Sequence, residues 1–381
     1  MSQFRTLITV SPLGLMYGSA GGFLSPENLV GRSNTKFPPD AAAIAGLLLN
    51  ANREQQFTDP QRLKQELVVA GPFWAKRDQP KKFYVPIPRH QIIAEKEEDE
   101  WLLKKKEKSI STQQNSELGN NQWYLNQYVW HRQKRHLEPA YFWQTIDAWG
   151  LPADEIRSRE AVAKVPWEAV PFLHPKIKLD ERHVVEQDGL FLENAVQLRE
   201  DYCLVYLTNL DLGHFSGWYR FSGEGHLVEI ENHELSDKHK INRLLQQKID
   251  YAFASITPGV WGSNKLSYRY PQHSSFPSRD LKLLTDKAVS YRYRIGQSRK
   301  DANAETDNLY NPKNTGRLSR GRYAVPAGSV YVFREPLDMT WWDFPDEWFP
   351  REGFCLKHLG CGLCLPIDIQ GIPKCTEKLT A

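Results

Sequence analysis

The sequence contains no hydrophobic run that is long enough to cross a bilayer. Its longest clean apolar run is Ala41–Leu49, nine residues, whereas a membrane-spanning helix needs about 20 residues. The N-terminal residues MSQFRTLITVSP contain neither the apolar core nor the small-residue cleavage pattern of a signal peptide. Cysteine is also scarce, and five residues, an odd number, do not match the framework of a secreted disulfide-rich protein. We therefore predict a cytoplasmic protein with no membrane partner.

Familiar catalytic and cofactor motifs are missing as well. The sequence has no HExxH, no GxSxG and no paired-carboxylate motif. A strand at 5–10, a glycine-bearing loop and a helix within 37–54 follow the order of a dinucleotide fold. However, no GxGxxG occurs there, and the loop is too long for the tight turn of that fold. We therefore predict no cofactor.

Histidine is the remaining candidate for catalysis. A metal-independent ribonuclease needs a general base beside the 2′-hydroxyl and a cation for the developing charge. Eleven histidines provide candidate bases, His183 and His226 among them, but no spacing selects a base together with a cation. The residues by themselves therefore indicate no catalytic set.

The C-terminal cysteines raise the question of zinc. Cys355, Cys361, Cys364 and Cys375 fall within twenty-one residues, and Cys361-x-x-Cys364 is a plausible half-site for tetrahedral zinc. The other spacings do not form a second CxxC, and the alternation in CGLCLP also suits small buried residues on a strand. We predict no metal and keep these four cysteines as weak zinc candidates.

Charge is nearly balanced overall but not locally. The net charge is +3, yet residues 292–322 hold eight Lys and Arg against three Asp and Glu. Residues 335–352 hold six Asp and Glu against one Arg. Neighbouring patches of opposite sign favour one surface for a polyanion and another for a protein partner, although simple solvation explains them equally well.

The remaining pattern predicts an α+β protein. Hydrophobic residues make up 40% of the chain, with 12 Trp, 16 Tyr and 17 Phe, which is sufficient for a substantial core. Besides the first strand and helix, strands are expected at 201–210, 290–296 and 327–333, and a hairpin at 217–231 with its tip at 222–225. A helix is expected at 239–254. The charged segment 94–137 reads as a surface insertion that includes a solvated helix.

Several features favour binding of single-stranded RNA, which proteins hold with cations and with aromatic rings that stack on bases. SYRYRIG (290–296) interleaves two tyrosines with two arginines, so a strand would place them on opposite faces, with the tyrosines facing either RNA or the core. Glycine loops at 14–22, 222–225 and 360–362 would let backbone N–H groups approach phosphates. The candidate RNA-binding residues are Gly21, Gly22, Arg32, Lys36, Ser222, Gly223, Gly225, His226, Asn264, Lys265, Arg292, Arg294, Arg317, Arg320, Arg322, Gly360 and Gly362.

Four blocks of sequence resemble a known family. They are FPPDAAAIAGLLL (37–49) after the first strand; GPF (71–73) with YVPIP (84–88); HVVEQDGLFLENAVQLR (183–199); and SGEGH (222–226) with ITPGVWG (256–262) and YAVPAGSVYVF (323–333). In this order they are similar to the third subunit of the Cmr module, a RAMP protein of the Cas-five-like group in type III-B CRISPR effector complexes. Ser222 and His226 replace a glycine and an arginine of the family's usual glycine turn, so the chain resembles a divergent member.

The resemblance implies both a fold and a role. It implies two ferredoxin-like (RRM-like) RAMP modules, 1–200 with the insertion at about 94–137, and 201–381 with a glycine-rich C-terminal loop. It implies a subunit that holds the 5′ handle of the crRNA in antiviral defence and does not cleave RNA. Its partners would be crRNA, the large Cas-ten-type subunit, a backbone RAMP subunit and, indirectly, target RNA. Because some related RAMP proteins cut crRNA precursors, the alternative is a metal-independent endoribonuclease that would use His183 or His226 as its base.

Overall fold

The computed structural model describes residues 3–16, 37–106, 125–175, 190–222, 225–263, 265–295 and 317–372. Within these residues the first half of the strands, in chain order, is β1 (Thr6–Pro12), β2 (Val69–Lys76), β3 (Tyr84–Pro86), β4 (Gln91–Ile93), β5 (Glu98–Glu100), β6 (Leu102–Lys105), β7 (Tyr128–His131), β8 (Trp143–Thr145), β9 (Val162–Ala163), β10 (Trp167–Pro175), β11 (Leu190–Leu198), β12 (Tyr202–Thr208), β13 (Gly217–Phe221) and β14 (His226–Glu234).

The strands of the C-terminal part are shorter. They are β15 (Ala252–Ser255), β16 (Trp261–Gly262), β17 (Ser267–Tyr268), β18 (Lys282–Leu284), β19 (Val289–Tyr291), β20 (Arg294–Ile295), β21 (Arg317–Leu318), β22 (Arg322–Ala324), β23 (Val330–Val332), β24 (Arg351–Glu352), β25 (Phe354–Cys355) and β26 (Cys364–Pro366). The α-helices described are α1 (Ala41–Gln55), α2 (Pro60–Glu66), α3 (Ala153–Ser158) and α4 (Lys240–Gln246). None of the described helices is both long and apolar enough to cross a membrane.

The largest sheet has eight antiparallel strands in the order β13-β14-β1-β12-β2-β3-β8-β9. β1 is central and pairs with β12 on one side and β14 on the other. Helix α1 follows β1 in the chain and packs against β2 and β13, burying Ile44 and Leu48. The four strands β14-β1-β12-β2 therefore stand in the chain order fourth, first, third, second.

A second antiparallel sheet has four strands in the order β18-β23-β15-β26. Counted from β26, its strands also stand in the chain order fourth, first, third, second. Short 3-10 turns at Trp341–Asp343 and Asp346–Trp348 lie in the connection from β23 to β26. One hydrophobic core includes residues of both sheets, and the Trp149 indole donates a hydrogen bond to the carbonyl oxygen of Pro366 at 3.0 Å.

The change from the first sheet to the second does not coincide with the predicted boundary at residue 200. Strands β12, β13 and β14 lie after residue 200 but belong to the large sheet. The last strand of the large sheet ends at Glu234, and the first strand of the second sheet begins at Ala252. The sequence could not reveal this, because β1 and its partner β12 are separated by almost two hundred residues.

Strong local patterns were predicted correctly. The first strand, helix α1, strand β12 and the hairpin β13–β14 all occur where they were expected, and the mixed composition with antiparallel sheets agrees with the α+β class. The segment 327–333 contains β23. These elements combine periodic apolar residues with local start or turn signals, which the sequence displays directly.

Three other predictions were wrong in part. The helix expected at 239–254 ends at Gln246, and its last residues form β15 instead. SYRYRIG divides into the short strands β19 and β20. The charged insertion shows strands β5, β6 and β7 rather than an α-helix among its described residues. A tertiary contact accounts for the extended conformation of β6 in this insertion. Leu103 is buried, and its N–H donates to the carbonyl of Gln370 at 2.9 Å.

One buried histidine makes stability dependent on pH. His90 is almost fully buried, and loss of hydration lowers the pKa of its imidazole from 6.5 to about 3. The unfolded chain binds a proton below pH 6.5 while the folded chain does not, so stability falls as the pH falls from 6.5 toward 3. Because of His90, the free energy of unfolding should be about 2 kcal/mol lower at pH 5 than at pH 7.

The variant His90→Phe should lose that pH dependence. Urea unfolding at pH 7 and at pH 5 would show a decrease about 2 kcal/mol smaller than in the wild-type protein. His214→Gln, which changes an exposed histidine, provides the control and should decrease as the wild type does. An unchanged decrease in His90→Phe would show that His90 takes up its proton in the folded state.

Candidate nucleic-acid interface

Three segments that contain basic but no acidic residues meet on one surface. Residues 262–269, 289–295 and 317–323 together hold seven Lys and Arg and no Asp or Glu. They form the hairpin β16–β17 and the pairs β19–β22 and β20–β21. The backbone N–H of Tyr323 donates to Ser267 Oγ at 3.0 Å, which joins the hairpin to β22. We call these six strands the basic ribbon surface.

The two-stranded ribbon at its centre is fixed by buried tyrosines. Tyr291 and Tyr293 are both buried, and their ring centroids lie 6.1 Å apart. Ser319 lies between β21 and β22 in the chain and is bonded to Tyr293. Its N–H donates to the Tyr293 carbonyl at 2.8 Å, and its hydroxyl accepts from the Tyr293 N–H at 3.0 Å. Of the two alternatives for SYRYRIG, the structure therefore shows the one with tyrosines in the core.

Arg322 requires a correction. Its side chain is buried and pairs with the Glu352 carboxylate at 2.8 Å, and both side chains are largely out of solvent. A second guanidinium N–H donates to the carbonyl of Arg320 at 3.3 Å. A buried cation with an internal counter-ion does not reach a phosphate on the surface, so Arg322 supports the ribbon rather than binding RNA.

The other candidate cations also belong to the strands and the turn of the basic ribbon surface. Lys265 is exposed in the β16–β17 turn, where its N–H donates to Ser263 Oγ at 3.1 Å. Arg320 is exposed, and its backbone N–H is held by the Glu352 carboxylate at 3.2 Å. Arg292 is partly buried, and its Nε donates to the Ser319 carbonyl at 2.8 Å. Arg294 and Arg317 stand at backbone positions in the paired strands β20 and β21.

The glycines at 360 and 362 are a second correction. Both are buried. A Cβ on Gly360 would lie 2.5 Å from the Val69 carbonyl oxygen, and one on Gly362 would lie 2.6 Å from the ring of Trp261. The Gly360 carbonyl accepts from Thr257 Oγ1 at 2.6 Å. These glycines allow close packing inside the protein and do not form a cradle for phosphate.

The β13–β14 hairpin carries another group of candidates. At its tip Ser222 and Gly225 both have positive φ, at 65° and 67°, and the Gly225 N–H donates to the Ser222 carbonyl at 3.2 Å. His226 begins β14 and is partly buried. The guanidinium of Arg220 lies beside Gly225. Sequence reasoning missed Arg220, although a strand places it on the same face as every second residue toward the tip.

Some of the candidates lie outside the described residues. These are Gly21, Gly22, Arg32, Lys36, His183, Gly223, Asn264 and Cys375. His183 is one of the two alternative bases of the endoribonuclease. For these residues the sequence-based predictions stay predictions.

The described cysteines do not form a metal site. Cys355, Cys361 and Cys364 are buried free thiols, and no group of three or more His, Cys, Asp and Glu in the described part of the chain could hold a metal ion. Cys361 Sγ lies 3.1 Å from the Tyr291 hydroxyl, and burial raises the pKa of the Cys364 thiol well above its ordinary value. These three cysteines are packed in the core, as the alternative of small buried residues predicts.

Acidic side chains of the segment 335–352 bond to partners within the protein. Asp343 caps a 3-10 turn through Thr340, Asp338 pairs with Lys248 at 3.0 Å, and Glu352 is the partner of Arg322. Its aromatic residues Trp341 and Trp348 are buried. Much of this segment is core and capping structure, which weakens its interpretation as a partner surface.

Two exposed tyrosines on the basic ribbon surface were not predicted. Tyr323 is 57% exposed and Tyr268 is 36% exposed. Tyr323 stands between Arg322 and Ala324, which are both buried, so it points away from the core. The sequence shows Tyr323 next to Ala324, which predicts that the two side chains point to opposite faces of a strand. Because Arg322 is buried although arginine is usually exposed, the sequence did not indicate that Tyr323 faces solvent.

The chain was compared with known families and structures. A family model described as CRISPR-associated protein (Cas_Cmr3) matches residues 15–365. A search of the curated proteins found no match. The chain is similar to a chain in the cryo-EM structure of the Type III-B Cmr-beta bound to cognate target RNA and AMPPnP, with 11% identity, 86% of each chain covered and a TM-score of 0.43.

Two further solved structures show similar distant likeness. One is a chain of the Csm1-Csm4 cassette in complex with AMPPNP, with 10% identity over 89% of this chain and 98% of that chain and a TM-score of 0.36. The other belongs to the Csm3-Csm4 subcomplex in the type III-A CRISPR-Cas interference complex, with 12% identity over 87% and 98% and a TM-score of 0.34.

Proposed function

The chain belongs to the Cas_Cmr3 family of CRISPR-associated proteins, and we propose that it is a non-catalytic RNA-binding subunit of a type III CRISPR effector complex. In this role it holds the 5′ handle of the crRNA in the cytoplasm and serves antiviral defence. The observation that carries the RNA-binding part is the basic ribbon surface, where three segments bring together cations with no acidic residue. Such a local cationic surface attracts a polyanion even when the net charge of the protein is small.

Two groups of residues would contact the RNA. Lys265, Arg292, Arg294, Arg317 and Arg320 supply cations on the basic ribbon surface. The β13–β14 tip supplies Ser222, Gly225 and His226, with Arg220 beside them. The predicted residues Gly21, Gly22, Arg32, Lys36, Gly223 and Asn264 complete the proposed set.

The proposed architecture is a pair of ferredoxin-like modules. Each of the two main sheets contains four strands in the order fourth, first, third, second, which is the strand order of that fold. The first module would comprise the large sheet with α1, and the second the sheet that begins with β15. The second lacks α-helices between its described strands, so it would be a modified module. This division replaces the boundary at residue 200.

The proposed partners follow from the family. We expect the subunit to connect the large Cas-ten-type subunit to the first backbone RAMP subunit, and to meet target RNA only indirectly. Purification of the native complex and sequencing of its RNA would test this. Recovery of crRNA whose 5′ repeat-derived nucleotides are protected from nuclease supports handle binding, whereas protection confined to the guide region contradicts it.

A salt titration tests the basic ribbon surface itself. The double variant Lys265→Gln/Arg320→Gln removes two exposed cations, and each lost phosphate contact should lower the slope of log affinity against log salt by about 1. The readout is filter binding of repeat-derived RNA by the full chain at several salt concentrations. We therefore expect weaker binding at every salt concentration and a flatter slope.

The matched control is Arg159→Gln/Lys164→Gln. It also removes two exposed positive charges, which are paired with Glu155 and Glu95 away from this surface. Its slope should equal that of the wild type. If both double variants change the slope equally, total charge rather than the basic ribbon surface determines binding.

Cleavage of crRNA precursors is not part of the proposal. Of the two alternative bases, His226 lies within the described residues, at the start of β14. Incubation of the protein with repeat RNA in EDTA, with and without a 2′-deoxy substitution at the cut site, tests this directly. Cleavage that the 2′-deoxy substitution blocks would replace the proposed function by the endoribonuclease.

A further inference from the structure

We propose that Tyr268 and Tyr323 form a stacking site for unpaired RNA bases. This inference rests on the proposed RNA-binding function and adds to it a ligand class, because stacking selects unpaired bases whereas cations bind any phosphate chain. The assignment follows from the exposure of the two rings, the rigidity of the strands that carry them and the charge around them.

Tyr323 projects from a well-anchored strand. Tyr323 is 57% exposed, while its neighbours on β22, Arg322 and Ala324, are buried. Its backbone is held on both sides, by pairing with Ser290 of β19 and by the hydrogen bond from its N–H to Ser267 Oγ. An aromatic ring on a fixed backbone loses little conformational entropy when a base stacks on it.

The position of the Tyr268 ring depends on a glycine on the opposite strand. Gly262 on the opposite strand has φ of +102°, and a Cβ at this position would lie 2.4 Å from the Tyr268 ring and 2.5 Å from the Leu266 carbonyl oxygen. The ring therefore occupies the space that a side chain at 262 would fill. Tyr268 as a whole remains 36% exposed, so part of its surface is available to a ligand.

The two rings come from adjacent strands of one surface. Ser267, whose hydroxyl accepts the hydrogen bond from Tyr323, directly precedes Tyr268 in β17. The neighbouring strands β17 and β22 thus carry one ring each. A single-stranded RNA segment that follows this surface would meet one ring after the other.

The charge around the rings favours RNA over a protein partner. Lys265 and Arg269 are exposed on the hairpin that carries Tyr268, and Arg320 is exposed near Tyr323. Exposed Leu266 and Leu318 add apolar area, as a protein interface would also show. However, aromatic rings among cations with no acidic residue in the three segments match the composition of single-strand binding grooves.

Base stacking can be tested at each ring by conservative and non-conservative exchange. Tyr268→Leu and Tyr323→Leu remove the ring and keep apolar area, whereas Tyr268→Phe and Tyr323→Phe keep the ring and remove only the hydroxyl. The probe is a single-stranded oligoadenylate RNA with 2-aminopurine at one position, since stacking on a tyrosine quenches its fluorescence. Each leucine variant should bind about 10-fold more weakly, and each phenylalanine variant within about 2-fold of the wild type.

Three controls isolate stacking from other effects. Phe142→Leu, which removes an exposed ring outside the basic ribbon surface, should bind as the wild type does. An RNA of the same length with abasic sites should bind wild type and leucine variants equally. The salt slope of the leucine variants should match the wild type, because no phosphate contact is lost.

The outcomes separate this inference from the proposed function. If the wild-type chain retains no single-stranded RNA, the proposed function fails and the stacking site with it. If the wild type binds with a steep salt slope but the leucine variants bind equally well, only the stacking site is overturned. Loss of a partner subunit in the leucine variants with unchanged RNA affinity would identify a protein interface instead and also overturn it.

Discussion

Replacing Arg322 by methionine should lower the free energy of unfolding by about 3–5 kcal/mol. The Arg322 side chain is 3% exposed and the Glu352 side chain 13% exposed, and the two charged groups are 2.8 Å apart. Without Arg322 the carboxylate stays largely buried and keeps only the Arg320 backbone N–H as a described donor, at 3.2 Å. An uncompensated buried charge is one of the most costly changes that a single substitution can introduce.

The double variant Arg322→Met/Glu352→Gln tests that explanation. It removes both charges and keeps an acceptor for the Arg320 N–H, so at least about half of the lost stability should return. The control Arg351→Gln breaks an exposed ion pair with Asp346, at 3.3 Å, and should cost at most about 1 kcal/mol. Urea unfolding followed by tryptophan fluorescence measures all three. A small loss in Arg322→Met would mean that solvent reaches the pair.

This result also affects how RNA-binding variants are designed. A variant that replaces Arg317, Arg320 and Arg322 together would remove a structural ion pair along with the proposed cations. Any loss of RNA affinity could then come from unfolding of the basic ribbon surface. Variants at Lys265 and Arg320 avoid this problem because the side chains of both are exposed.

Replacing Gly360 by alanine should lower the free energy of unfolding by about 2–4 kcal/mol. Gly360 has φ of +72°, and an added Cβ would lie 2.5 Å from the Val69 carbonyl oxygen and 2.7 Å from the Ala70 Cα. These are backbone atoms at the start of β2, which cannot turn aside as a flexible side chain would. The turn would have to move away from β2 and weaken the hydrogen bond from the Val69 N–H to the His358 carbonyl, now 2.9 Å.

Gly46→Ala is the matched control for this prediction. Gly46 lies within helix α1, and an added Cβ would meet nothing within 4 Å. The same chemical change should there stabilise the protein by about 0.5–1 kcal/mol, since alanine favours the helix. Equal effects of the two substitutions would show that packing at Gly360 has been misassigned. In RNA binding, folded Gly360→Ala should keep the wild-type salt slope, because Gly360 does not contact phosphate.

The loop at 360–362 shows what the sequence alone could not decide. The loop at 360–362 was predicted to bind phosphate because glycine permits close approach of a ligand. Close approach does occur, but to Val69 and Trp261 inside the protein. Glycine's missing Cβ serves either purpose, and the choice depends on which atoms arrive from distant parts of the chain.

The same limit applies to the arginines. Arg317, Arg320 and Arg322 occur within six residues of basic sequence, and nothing local distinguishes them. Glu352, thirty residues further along the chain, gives Arg322 a buried partner. The exposed rings of Tyr268 and Tyr323 were missed for a related reason, since their outward direction depends on the register of β17 and β22.

By itself the sequence determined the family resemblance, the early strand and helix, the β13–β14 hairpin and the presence of a strongly basic region. These follow from local periodicity, turn residues and composition, which do not depend on distant contacts. Only the tertiary structure decided which cations are exposed, which glycines pack in the core, and where the first sheet ends. Burial and charge pairing are properties of residues far apart in the chain, and only the folded protein brings them together.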